Sequence, residues 1–219
     1  EFASFFGIPG YDDQVTDLGP DNGKRYRDAT AKARAELQAK LQSERDANVR
    51  QDLEIMIKAA DENIEGSTLN EKYLLPWSDA PQMVFNGLNG LLSDQTPAER
   101  RAKALDRLKR YVGLMPGSTA ITTLAQQRYE EKLSDTALLQ PTRLEVERAV
   151  GNVDTYVSGV RDLFAKYKIE GAEEALGAME KQFKDYNEWT RSKVLPKART
   201  DTRLPPELYA YQLKQYGID

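Results

Sequence analysis

Asp12, Asp13 and Asp17 crowd the stretch YDDQVTD, and clustered carboxylates are a first place to look for a bound hard cation. A calcium loop of the EF-hand kind also needs acids at fixed spacing, a central glycine and a closing glutamate, and that order is missing. The stretch therefore reads as a solvated turn with helix-capping acids. Two adjacent pairs, Glu130-Glu131 and Glu173-Glu174, are the other carboxylate candidates. Neighbours on a helix project about 100° apart, so neither pair converges on a shared proton, and exposed faces account for both. Arg100, Arg101, Lys103, Arg107, Lys109 and Arg110 gather on one stretch, with Glu99 and Asp106 among them. Interspersed acids favour a solvated helix face over an anion site. NGLNG, from Asn86 to Gly90, lacks the Lys-Ser/Thr ending of a phosphate-binding loop, so loosening of a helix or close helix approach is the better account.

The chain contains neither histidine nor cysteine. Without imidazole there is no Ser-His-Asp or Cys-His arrangement and no His-containing zinc motif. Without thiol there is no disulfide, thiolate nucleophile or cysteine metal site. What remains for chemistry is carboxylate, Lys, Arg, Tyr, Ser and Thr, and no catalytic residue and no metal ligand is assigned. With 31 basic against 35 acidic residues the net charge is -4, so no chain-wide positive field attracts phosphates, and nucleic acid is not an expected partner. No apolar run is long enough to span a membrane, and the start, EFASFFGIPG, has no basic n-region. A mature form of an exported protein fits this start, as does a cytoplasmic one.

These groups must be positioned by helices. Tyr26, Thr30, Ala33, Leu37 and Leu41 recur at threes and fours after Pro20, and Val49, Leu53, Met56, Ala60 and Ile64 repeat the pattern after a polar break near Asp46, predicting an antiparallel hairpin. Residues 1–19 show no period and are expected to form a short helical turn and a loop pinned by Phe2, Phe5, Phe6 and Tyr11. GSTLNEKYLLPWSDAPQMVFNGLNGLLSD is expected to be a loop and then a helix weakened by its glycines. Thr96, Pro97 and Glu99 predict a capping box opening a helix through Leu105, Leu108, Val112 and Met115, stopped by Gly113, Pro116 and Gly117. A helix follows over about 118–134. Thr142 and Glu145 predict a second box, opening the longest seam: Val146, Val150, Val153, Val157, Val160, Phe164 and Tyr167. Ala172, Leu176, Met179, Phe183, Tyr186 and Thr190 continue it to Pro196. Pro205 and Pro206 start a last helix with a stripe of Leu208, Tyr209, Leu213 and Tyr216. No strand pattern of useful length exists, and no period near 34 residues marks a solenoid. The expected fold is all-α, an antiparallel multi-helix bundle of about seven or eight helices.

YLLPWSDAPQMVF is the stretch best suited to line a cleft, because aromatics among prolines hold an irregular backbone only by packing. Trp77, Gln82, Phe85 and Asn86 are the substrate-cleft candidates, with burial of Trp77 and Phe85 as the plainer alternative.

Four segments, FASFFGIPGYDDQVTDLGPD, YLLPWSDAPQ, LLQPTRLEVERAV and LPKARTDTRLPPELYAYQLKQYGID, together resemble the N-terminal half of the bacterial domain-of-unknown-function 885 family. The resemblance implies a helical region preceding a second half with a histidine-glutamate zinc motif, in proteins that look like metal-dependent peptidases, often exported or lipid-anchored. It implies a helical N-terminal domain over 1–204 and a lead-in helix over 205–219 to a C-terminal, catalytic-type domain. Leu208, Tyr209, Leu213 and Tyr216 are then interdomain contact candidates. Zinc is expected only in that C-terminal half, and the partners are that half and a peptide substrate. A bacterial, periplasmic or exported location is the corresponding expectation. The competing expectation is a free-standing helical interaction module that binds a peptide or partner helix.

Overall fold

The computed structural model describes residues 2–218, the side chain of Phe2 excepted. Its regular structure is helical, with eight helices of at least seven residues among the described residues. In order they are α1 (Phe2–Phe5), α2 (Asn22–Ser43), α3 (Ala47–Tyr73), α4 (Ala80–Leu91), α5 (Ala98–Arg101), α6 (Ala104–Tyr111), α7 (Ile121–Lys132), α8 (Arg143–Lys166), α9 (Glu173–Trp189) and α10 (Pro206–Gln215). A π turn, Thr190–Val194, and a 3-10 turn, Leu195–Lys197, extend α9. The all-α bundle expected from the heptad-like spacing is what forms.

The chain divides into two compact units. One comprises residues up to Leu18 with Pro76–Ser134 and Gln140–Asp201; the other comprises Gly19–Leu75, Asp135–Leu139 and the residues from Thr202 onward. In the second unit α2 and α3 associate with α10.

In the first unit, α4 packs on α8, and α8 on α9, with α6 and α7 against the same core. Val84, Leu88, Leu108, Val146, Val160, Ala175 and Met179 are fully buried there. The valine-rich α8 gains from this packing what β-branched side chains withhold from helix propensity. Its start follows the predicted box: Glu145 N–H donates to Thr142 Oγ1 at 3.3 Å, and Thr142 N–H to Glu145 Oε2 at 2.8 Å. Every residue predicted for the α9 seam, from Ala172 to Thr190, is buried. A short bridge closes the unit, with Arg143 N–H donating to Arg199 O at 2.7 Å and Arg199 N–H to Pro141 O at 3.0 Å.

In the second unit, α2 and α3 form the predicted hairpin, and the polar break is the α3 cap: Asp46 Oδ1 accepts from Asn48 N–H at 2.8 Å and from Val49 N–H at 3.2 Å. Only Leu53, Ala60, Gly66 and Leu69 of α3 are buried, and no residue of α2 is. Val49 and Met56, placed on the predicted stripe, are exposed. Leu74 and Leu139 pair as a single parallel bridge step beside the end of α3, with Leu75 N–H donating to Leu139 O at 2.9 Å and Leu139 N–H to Tyr73 O at 2.8 Å.

Three local expectations are corrected. The loop expected from Gly66 is helical as far as Tyr73, leaving only residues 74–79 irregular, because Leu69 and Gly66 are buried and hold the last turns of α3 in place. The Thr96 capping box does not form. Pro97 is itself the extended residue before α5, so Thr96 lies one position outside and its hydroxyl pairs with Ser93 Oγ at 2.9 Å. The helix expected to run on through Met115 breaks between α5 and α6, and α6 ends at Tyr111. Gly113, with φ at 76°, then turns the chain where a Cβ would meet Ala120 N at 2.9 Å.

Candidate functional site

The cleft candidates divide into two places on the first unit. Asp79 caps α4, accepting from Gln82 N–H at 3.1 Å, with Pro81 in the first turn where no N–H is needed. This start turns Gln82 and Phe85 toward Tyr156 of α8. Gln82 is exposed, and its Nε2 donates to Tyr156 Oη at 3.0 Å. The Phe85 ring lies 5.4 Å from that of Tyr156 and covers Gly159, where a Cβ would come within 2.7 Å of the ring. Phe85 is therefore half-buried packing that requires glycine opposite it. Asn86 is exposed.

Trp77 belongs to the other place. It lines a cavity of about 10 Å³ with Asp79, Val150, Tyr186, Asn187 and Thr190. Here residues 76–79 meet α8 and the junction where α9 widens into its π turn, a helical irregularity common at special sites. Tyr186 Oη donates to Ser78 O at 2.7 Å, and the Tyr186 ring packs against Trp189 at 5.2 Å. Burial raises the Asp79 carboxyl above the usual aspartate range, with the hydrogen bond from Gln82 N–H opposing it. Burial likewise pushes the Tyr186 phenol up, and the charge of Asp79 adds to the effect. Neither group is set to act as an acid or base on a substrate, since the cavity admits nothing larger than a water.

The acidic loop and the basic helix, both read as solvated, are instead partners. Arg100 holds Asp12 with two parallel bonds, Nε to Oδ2 at 2.9 Å and Nη2 to Oδ1 at 2.7 Å. Ser4 Oγ donates to the same carboxylate at 2.6 Å. Arg107, 2% exposed, donates to the backbone oxygens of Asp12 and Gly87, each at 2.7 Å, and to Ser4 Oγ at 2.7 Å. Arg110 reaches Asp13 Oδ2 at 2.7 Å and its backbone oxygen at 3.0 Å. These arginines lie three and seven residues apart, on the face of α5 and α6 that meets the first segment. Hydrogen bonds from Arg100 hold the Asp12 carboxyl below its ordinary range. The aromatics expected to pin this segment do not: Phe5 and Phe6 are more than 70% exposed and Tyr11 is about half exposed, while the Phe2 side chain lies outside the described residues. Polar groups win because each arginine satisfies at least one backbone oxygen, and Arg107 several, that a turn-rich segment leaves without ladder partners. The signal is present in the sequence, since arginines seven and three apart, among positions that otherwise carry core residues, suggest an inward-facing charge.

The last helix has a docking partner within its own unit. Tyr211, which the stripe omitted, lies over Gly66 of α3 and donates from Oη to Glu62 O at 3.0 Å. Glu207 accepts from Lys72 Nζ at 2.6 Å and from Tyr73 Oη at 2.5 Å, and Lys214 pairs with Glu65 at 3.4 Å. Of the four stripe residues, Leu208 is fully buried and Leu213 half-buried, whereas Tyr209 and Tyr216 are exposed. The adjacent acids diverge as expected: Glu131 pairs with Arg128, and Glu130 accepts from Trp189 Nε1.

The residues present do not fit zinc. There is no imidazole or thiolate, and among the described residues no three carboxylates gather as a ligand set. No helix among the described residues is long and apolar enough to cross a membrane. Fold and sites together define an all-α protein whose polar clusters bind one another and the backbone. The chain belongs to the bacterial family of unknown function DUF885, whose profile matches residues 1–218. No curated protein and no solved structure was found to match it.

Proposed function

We propose that this chain is the noncatalytic helical part of a zinc-dependent peptidase of its family, forming one wall of a substrate cleft and packing on a metal-binding half. The observation that carries the reading is the inventory of side chains: the arginine–aspartate cluster of the first segment is engaged in holding helices together, and the two best zinc ligands are missing from the sequence altogether. Exposed Tyr209 on α10, with exposed Tyr216 and Ile218 just past its end, supply apolar surface for contact with that half. Exposed Gln82 and Asn86 on α4 supply polar groups for a peptide in an extended or helical conformation. Zinc would activate water in the other half, and no step of hydrolysis falls to residues of this chain.

The test is a peptidase assay on the full product of the gene, with and without a chelator, beside the same assay on these 219 residues alone. Chelator-sensitive cleavage by the full product, and none by this chain, is the expected result. Cleavage by this chain alone that responds to substitution within it would overturn the proposal.

A further inference from the structure

The cavity beside Trp77 carries an unbalanced set of polar atoms. Trp77 Nε1, Asn187 Oδ1 and Thr190 Oγ1 are all buried, and none makes a hydrogen bond to a protein group. All three residues line the same cavity, and Thr190 as a whole is only 2% exposed. Asn187 cannot resolve its own case, because its Nδ2 is engaged with Val150 O at 3.4 Å, leaving the oxygen as the free end. Buried polar groups left in this state cost about 1–3 kcal/mol each, so native proteins nearly always supply a partner.

The chemistry of the three atoms identifies that partner. Indole N–H only donates, an amide oxygen only accepts, and a hydroxyl does both. A metal cation would be repelled by the indole N–H, and an anion by Asn187 Oδ1 and the nearby Asp79 carboxylate. The occupant must be neutral, able to accept one hydrogen bond and donate others, and small enough for about 10 Å³. Water alone meets all three conditions, and a buried water typically makes two to four such bonds.

We infer that one water molecule is bound in this cavity, accepting from Trp77 Nε1–H and donating to Asn187 Oδ1 and Thr190 Oγ1. It ties the segment before α4 to the π turn that ends α9. This goes beyond the peptidase reading and does not depend on it.

A high-resolution crystal structure of the 219-residue chain tests the site directly. The expected result is one ordered density peak within hydrogen-bonding reach of Trp77 Nε1 and of at least one of the two oxygens. A dry cavity, or an indole N–H bonded directly to Asn187 or Thr190, overturns it. In solution, the Trp77 indole proton, told apart from that of Trp189 by the Trp189→Phe variant, is expected to show cross-relaxation with a long-lived water. The near-isosteric Thr190→Val removes one oxygen, and the cross-peak is expected to be lost in it. Absence of the cross-peak in the parent chain, or its persistence undiminished in folded Thr190→Val, counts against the bound water.

Discussion

At the scale of single residues, the buried arginine is the most consequential side chain. Arg107 satisfies the oxygens of Asp12, Gly87 and Ser4 at once, so Arg107→Met keeps the apolar stem while leaving those acceptors bare. A loss of about 3 kcal/mol in urea denaturation is expected, whereas Phe6→Ser, at a residue 73% exposed, should stay within about 0.5 kcal/mol. The reverse ranking would restore the aromatic anchor expected from the sequence. Asp79 makes a second prediction, through pH. Its folded carboxyl titrates above the ordinary 3.8, so ionisation costs stability at neutral pH, and stability contributed by this group rises as pH falls through the folded value toward 3.8. Asp12 has the opposite sign. Its stabilisation is complete above the ordinary value and is lost as pH falls through its lowered folded value. Asp79→Asn retains an oxygen for the Gln82 N–H cap, so the acid-side gain should vanish from the pH dependence of denaturation while the Asp12 loss remains.

Among elements, α10 shows how one glycine decides a docking. A Cβ on Gly66 would overlap the Tyr211 ring, and a phenol cannot retreat without giving up its bond to Glu62 O. Gly66→Ala is favourable by helix propensity by about 1 kcal/mol, yet it is expected to release α10 and speed amide exchange there at least tenfold. Unchanged α10 protection in hydrogen-exchange measurements would show that Tyr211 does not hold the helix. The hairpin, the α8 box and the α9 seam are legible in the sequence because their periodicity and caps are local. The Thr96 box was misread for an equally local reason, since only the backbone taken up by Pro97 shows which residue stands at the cap. Tyr211 falls outside the expected stripe because a stripe through Leu208, Tyr209, Leu213 and Tyr216 assumes a broad apolar neighbour. The actual neighbour is the bare backbone at Gly66, flanked by Glu65 and Lys72.

For the molecule as a whole, the missing side chains set the strongest expectation. Calorimetric titration of the chain with zinc should show no stoichiometric site at neutral pH, because carboxylates alone offer weak, scattered coordination. A one-to-one site of high affinity would remove the basis for assigning metal chemistry elsewhere. Composition and heptad-like spacing sufficed by themselves for an all-α bundle and for the exclusion of imidazole and thiolate chemistry, since both depend on residue type and short-range period alone. Which charges turn inward, where Trp77 finds its polar company, and how α2, α3 and α10 come to share a unit were decided only in three dimensions. Each depends on groups dozens of residues apart, Asp12 with Arg100 or Gly66 with Tyr211, whose pairing lowers the cost of burial only once the helices have met.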